Sequence, residues 1–342
     1  MKYYFAFVAS SWLFFFIGSD NACVSAFLPA TTTQTRRGHL PSVLHNSLNA
    51  VEINHQLQKN LEKMKERDRA AKVVTKEELK VAYEDEHIIV VDKPSGVLCV
   101  SNDDDIPSLH KTVYDAQENA KIKMSQMVVH RLGMDTSGLI VFCKSMKAVK
   151  GMNALFRNRQ VSKQYEALVC GHLAEDEGLI SMPLMRDFEM PPYMRVSTDA
   201  LQLAISTVDD PDALPKNILD PPKPCLTKYA VVAREEIEGL DVTRVSLSSV
   251  TGRTHQLNVH LAAFGHPIVA DSVYGWKGEA LPNGGVEEDD LIKNFPNRAS
   301  PELQQQLSDA TKDWNMCVHA TLLEFKHPVT KTALSLRSPA AF

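Results

Sequence analysis

An α+β fold is the expectation for this chain of 342 residues, and three features of the sequence lead to it. Residues 83–92, 139–142 and 165–170 are β-branched or apolar runs that read as strands. Residues 227–232 and 242–247 read as two more strands, paired across the connection at 235–241. Helices are read at 52–72, which is charged and free of Gly and Pro, and at 145–157.

Taken in order, residues 1–50 read as an address. Residues 3–17 are almost wholly apolar, with Lys2 before them and Ala22, Ser25 and Ala26 after. That pattern is a secretory signal peptide, and the run is short for a membrane span. Residues 27–50 are rich in Thr and Ser, carry Arg36 and Arg37 and lack Asp and Glu, as organelle transit peptides do. A signal peptide (1–26) joined to a transit peptide (27–50) resembles the two-part presequence of algae with complex plastids, with Phe27 opening the transit part. Plastid delivery is the expectation and the secretory pathway the alternative.

Residues 51–78 read as an exposed charged helix and linker, and 79–342 as one domain with insertions near 190–225 and 277–312. Cys99, Cys143, Cys170, Cys225 and Cys317 are scattered singly, which suits small buried apolar groups in a reducing compartment. No spacing fits a zinc site, and His255 and His260, on a tract read as a strand, would face opposite ways. The formal net charge is −5, so attraction for phosphate has to be local. The best candidate is residues 136–165, which hold no acid but carry Lys144, Lys147, Lys150, Arg157, Arg159 and Lys163.

The chain is organised around Val128-Val129-His130-Arg131-Leu132-Gly133-Met134-Asp135-Thr136-Ser137-Gly138, which runs into the apolar residues 139–142. Its glycines and polar residues form a turn between two stretches read as strands, a common seat for catalytic groups. The stretch resembles the signature loop of the RluA-type pseudouridine synthases, H-R-L-D-x-x-T-S-G. Four further segments match in order. They are residues 83–96, with Asp92-Lys93-Pro94-Ser95-Gly96, and 163–169, with Lys163-Gln164-Tyr165-Glu166. The others are Thr251-Gly252-Arg253-Thr254-His255-Gln256 and His319-Ala320 with Phe325-Lys326-His327-Pro328. One departure stands out: Gly133 occupies the position of the family's catalytic aspartate.

The resemblance implies a single α+β domain, a long, mainly antiparallel sheet flanked by helices. It also implies isomerisation of uridine to pseudouridine in RNA, ribosomal or transfer RNA, by a monomer needing no cofactor or metal and no membrane in its mature form. That reaction needs a carboxylate, a weak base for the C5 proton and a slot for a base that has left its stack. By resemblance Tyr165 lines the uracil and Arg253 pairs with the carboxylate, aimed by Thr251 and Gly252. Arg131 fills the gap left by the flipped nucleotide or contacts phosphate. His130 is counted with Arg131, Lys144, Lys147, Arg157 and Arg159 on the RNA side, although it reads as more structural than catalytic. Leu132, Gly133, Thr136, Ser137 and Gly138 complete the motif. Glycine cannot serve as a carboxylate, which leaves three readings: Asp135 takes the role, an acid enters from elsewhere, or the protein binds RNA without modifying it. Two residues of extended chain span about 6–7 Å, so Asp135 demands a rearranged loop.

Overall fold

The computed structural model describes residues 26–27, 49–101, 105–117 and 122–342. The presequence expected over 1–50 therefore lies almost wholly outside the described residues. Among them the fold is α+β and mainly antiparallel, as expected.

The first paired elements are β2 (Lys80–Glu84) and β3 (Ile88–Lys93). The sequence reads a single strand over 83–92; the structure folds it into a hairpin. The cause is Asp85, whose side chain accepts from the backbone amides of His87 and Ile88 at 2.7 and 2.9 Å and turns the chain. β4 (Ser137–Cys143) follows the signature loop and pairs with β3 along six residues. Residues 128–129 form no strand, and only an isolated bridge joins Val128 to Phe142.

The chain then forms α3 (Met146–Arg157), capped by the Ser145 hydroxyl, and β5 (Ser162–Cys170). β9 (Leu226–Ile237) and β10 (Leu240–Ser249) are the expected pair, longer than the sequence reads them and joined at Glu238 and Gly239. β10 lies on β5, and β11 (Val318–Lys326) lies on the other edge of β5. The far edge of β11 is shared: its start pairs in parallel with β4, and its end pairs with β12 (Ala333–Arg337). β6 (Glu177–Ser181) joins the free edge of β9, and the two-residue strand β1 (Ala26–Phe27) pairs with β6 in parallel. These ten strands are one sheet.

One row of side chains crosses this sheet and sets the site. Leu247, Tyr165, Ala320, Gly138 and Lys93 are successive register partners on β10, β5, β11, β4 and β3. Gly138 has φ +107°, and a Cβ there would fall 2.4 Å from the backbone N and O of Ala320. Only glycine permits that approach.

Alternate residues of β4 divide two faces. Ile140 and Phe142 pack with Tyr165, Ala167 and Val259 in the main core, whereas Leu139 and Val141 pack with Ala148 and Met152 of α3. Val259 belongs to α5 (Gln256–Ala263), which corrects the strand read for His255 and His260. The Thr251–Gly252 turn ends β10, His255 takes a left-handed φ of 50°, and the Gln256 side chain accepts from Thr251 Oγ1 at 2.8 Å and the Arg253 amide at 3.1 Å. A helix starts there because the bonds that could continue the ladder are spent on the turn.

A second core seats two further segments. Ala50, Ile53 and Leu57 of α1 (Ala50–Arg69) pack with Met185, Phe188, Leu201, Leu214 and Ile218. The charged helix is thus a surface helix packed on the domain by one buried side, and Leu214 and Ile218 anchor the insertion near 190–225 in the same core. The 277–312 segment is likewise seated on the domain: a Cβ on Gly284 would lie 2.8 Å from the Val259 carbonyl.

Candidate active site

The signature loop is pinned at each end by contacts with the sheet and α3 and in its middle by a preceding segment. Before it, the His130 ring is buried against Phe156 of α3, ring centroids 5.0 Å apart, and its Nε2 accepts from the Val141 amide at 3.1 Å. Burial pushes this imidazole down to about 3, so it is neutral. His130 thus serves the fold by tying the start of the loop to β4 and α3. Leu132 is buried in the main core.

In the middle of the loop the anchor is Lys93. Its ammonium is fully buried and donates to the carbonyls of Met134 at 2.6 Å, Val97 at 2.8 Å and Pro94 at 2.9 Å. Burial draws Lys93 down to about 8, partly offset by neighbouring Cys99 and Asp135. The Gly96 amide also donates to the Met134 carbonyl, and the Ser95 hydroxyl donates to the Asp135 carbonyl at 2.7 Å. The Lys93-Pro94-Ser95-Gly96 segment is therefore the cradle of the signature loop. Beyond the turn, Ser137 Oγ lies 2.9 Å from His319 Nδ1, and His319 Nε2 lies 3.1 Å from the Ser338 hydroxyl.

With its backbone held, Asp135 directs its carboxylate at α1 and forms an ion pair with Arg67, both side chains about a quarter exposed (25% and 29%). Asp135 is thus paired with Arg67 and not with Arg253. Arg253 is exposed at the end of β10 beside Cys225, whose thiol is pushed up by burial, a shift that the Arg253 guanidinium partly opposes. Thr251 does shape that turn, accepting from the Leu226 amide at 2.9 Å. Gly252 has nothing within 4 Å of a built Cβ, so no close approach demands glycine there.

Around Arg67 stand groups that the sequence reading missed. The His255 Nδ1 lies 2.8 Å from the Tyr274 hydroxyl. Burial pushes His255 down to about 4, with Arg67 and Arg186 adding to the shift and Asp135 opposing it. Asp271 is buried; it accepts from the Asn258 amide group at 2.7 Å and from the backbone amides of Val273 and Tyr274. Glu279 takes the Tyr193 hydroxyl at 2.5 Å and pairs with Lys63 of α1 at 3.1 Å. The signal for Asp271 and Tyr274 was an apolar run, 267–270, breaking into Asp and Tyr just before Gly275.

Tyr165 is buried on the main-core face, with the Lys163 ammonium 5.8 Å from its ring centre. Arg131 is exposed. The basic stretch divides. Lys144 is paired with Glu84 at 2.5 Å, while Lys147, Lys150, Arg157 and Arg159 are exposed. Because α3 covers the sheet face opposite Tyr165 and α5, its basic residues do not converge with Asp135. A hollow of about 670 Å³ lined by Arg234, Asp241 and Arg298 lies elsewhere and includes no signature residue.

Gly133 is exposed and has no backbone need to be glycine. Its φ lies outside the left-handed region, and a Cβ would meet only Thr136, with Oγ1 at 3.3 Å.

This architecture is shared with solved structures. The human RNA Pseudouridylate Synthase Domain Containing 1 matches over 79% of this chain and 87% of its own, with TM-score 0.53 and 24% identity. The human Domain Containing 4 protein matches over 76% and 88%, with TM-score 0.50 and 23% identity. At these identities the likeness speaks for the fold. The family model for RNA pseudouridylate synthase matches residues 87–263. The Dual-specificity RNA pseudouridine synthase RluA of Pasteurella multocida (strain Pm70) is 34% identical over 266 residues, 77% of this chain and 94% of the relative. The protein of the same name from Yersinia pestis is 37% identical over 199 residues, 57% and 81%. The chain belongs to the RNA pseudouridylate synthase family.

Two outcomes follow from the geometry. Gly133→Asp is expected to keep stability within about 1 kcal/mol of the parent, since no strained φ is involved. A urea midpoint showing a loss above about 2 kcal/mol would mean that the turn itself requires glycine. The second concerns acid. His260 is fully buried between Met182 O and Thr227 Oγ1, both at 2.9 Å, and burial holds it near 4 instead of 6.5. Between those values the unfolded chain takes a proton that the folded chain refuses. The contribution is therefore complete above about pH 6.5 and is lost as pH falls toward 4, on the order of 3 kcal/mol for His260. His255 acts in the same direction. Urea unfolding between pH 7 and pH 4.5 should show falling stability, and a flat profile would contradict the assignment.

Proposed function

We propose that this chain is an active RNA pseudouridine synthase that isomerises uridine to pseudouridine in ribosomal or transfer RNA, with Asp135 as its carboxylate. Membership of the family supports the activity, and one observation supports the residue. Asp135 is the acid of the signature loop, its backbone is fixed by Ser95, and its carboxylate is partly open to solvent beside a guanidinium. The Lys93 cradle holds the backbone of the residue before Asp135 and so fixes the turn from which its carboxylate projects.

The reaction is balanced within the nucleoside. The N1–C1′ bond breaks, the uracil turns, C5 joins C1′, the C5 proton leaves, and N1 takes up a proton, so that substrate and product are isomers. A carboxylate can attack the sugar or base, or remove a ribose proton, so that the first step splits into easier ones. The target nucleotide has to leave its stack first. Tyr165 supplies an aromatic wall on the main-core face, and exposed Arg131 is free to enter the space that the nucleotide vacates. The paired guanidinium gives the carboxylate a direction that solvent would not.

The full-length protein incubated with ribosomal and transfer RNA tritiated at uridine C5 is expected to release tritium, and Asp135→Asn to lower that turnover at least about a hundredfold. Full release by Asp135→Asn would exclude Asp135. RNA binding by the parent with no release in either RNA would favour the alternative, a non-modifying RNA-binding protein with Gly133 as its lesion. The reading extends to a plastid on the strength of residues 1–50. A fluorescent protein fused behind them should reach that organelle, and secretion of the fusion would overturn the extension.

A further inference from the structure

α1 lies outside the stretch that the family model matches, yet it reaches the signature loop. The spacing of its buried side explains how. Ile53, Leu57, Asn60, Met64 and Arg67 recur at intervals of four, three, four and three residues, one stripe along a helix. Ile53 and Leu57 are buried in the second core, and Asn60 is buried with its amide donating to the Pro191 carbonyl at 2.7 Å. Met64 is half-buried, and the stripe then ends in a cation where an apolar side chain would extend the core. A second ion pair, Lys63 to Glu279, lies one turn earlier on the same face of the helix.

We infer that Arg67 is the positioning residue for the Asp135 carboxylate, supplied by α1 in place of an arginine from the domain that carries the signature. The inference rests on the reading of Asp135 as the functional carboxylate. Three observations carry it. The guanidinium pairs with that carboxylate and is only 29% exposed. Its charge also acts on His255, Asp271, Glu279 and Tyr193, and Glu279 is itself tied to α1 through Lys63 at 3.1 Å. Finally, the arginine expected for this task, Arg253, is exposed beside Cys225. A planar guanidinium can bind both carboxylate oxygens and so fix its plane, which a lysine ammonium does less well. Arg67 touches neither base nor sugar in this role; it aims the group that does.

The test uses the full-length protein, tritium release from ribosomal and transfer RNA, and three variants. Arg67→Ala is expected to lose at least tenfold in kcat with KM within twofold of the parent. Guanidinium chloride at low millimolar concentration should restore part of that activity, and Arg67→Lys should retain an intermediate kcat. Parent-like kcat in Arg67→Ala would overturn the inference while leaving Asp135 in place. So would a loss that tracks a fall in melting temperature and responds to neither guanidinium nor lysine, since that marks a purely structural tie. Asp135→Asn separates the two claims: full activity there removes the reading itself, whatever Arg67 does.

Discussion

The buried ammonium of Lys93 is the interaction on which the site depends. Burying a cation without partners costs several kcal/mol, and Lys93 has three donors to satisfy. It meets three carbonyls, Pro94 and Val97 from its own turn and Met134 from the signature loop. Those distances leave no donor over, so the two loops are held in one arrangement. The residue also stands at the end of the sheet row through Gly138, Ala320 and Tyr165, which ties the loop to the core strands. Asp135 follows the pinned Met134 directly, and its direction comes from that hold.

The acid is then met by a helix that comes from far upstream. α1 is attached through a small core shared with residues 185–218, separate from the main core under the sheet. The consequence is a cluster of charged and titratable groups drawn from pieces distant in sequence: Arg67, Asp135, His255, Asp271 and Glu279. Asn258 contributes to the same cluster. Its amide satisfies buried Asp271 with a neutral group, and Arg67 is left as the nearby cation acting on that carboxyl. Gly133, meanwhile, faces solvent in an ordinary conformation, so nothing in the backbone explains why it lacks a side chain.

Where the reading of the sequence and the structure agree, the signal was local. The 145–157 helix, the strand ending at Cys170 and the paired strands β9 and β10 follow from apolar period and cap residues. Where they part, a side chain intervened. Asp85 turned one expected strand into a hairpin, and Gln256 gathered the turn that made a helix of the His255–His260 tract. His130 matched the signature and was counted toward RNA, but its ring is spent on Val141 and Phe156. Lys147, Lys150 and Arg157 do form an exposed basic face, on the side of the sheet away from Tyr165.

The sequence by itself determined the family resemblance, the order of the motifs and the absence of an acid at Gly133, because these are carried by residue identity and spacing along the chain. It also placed Asp135 as the acid two residues on. Tertiary structure alone decided which cation meets that acid and which face each basic residue shares. Ion pairs and sheet faces depend on three-dimensional proximity: Arg67 and Asp135 are 68 residues apart. Helix period marks Arg67 as part of a buried stripe, but only the packing of α1 on the second core brings that stripe to the loop.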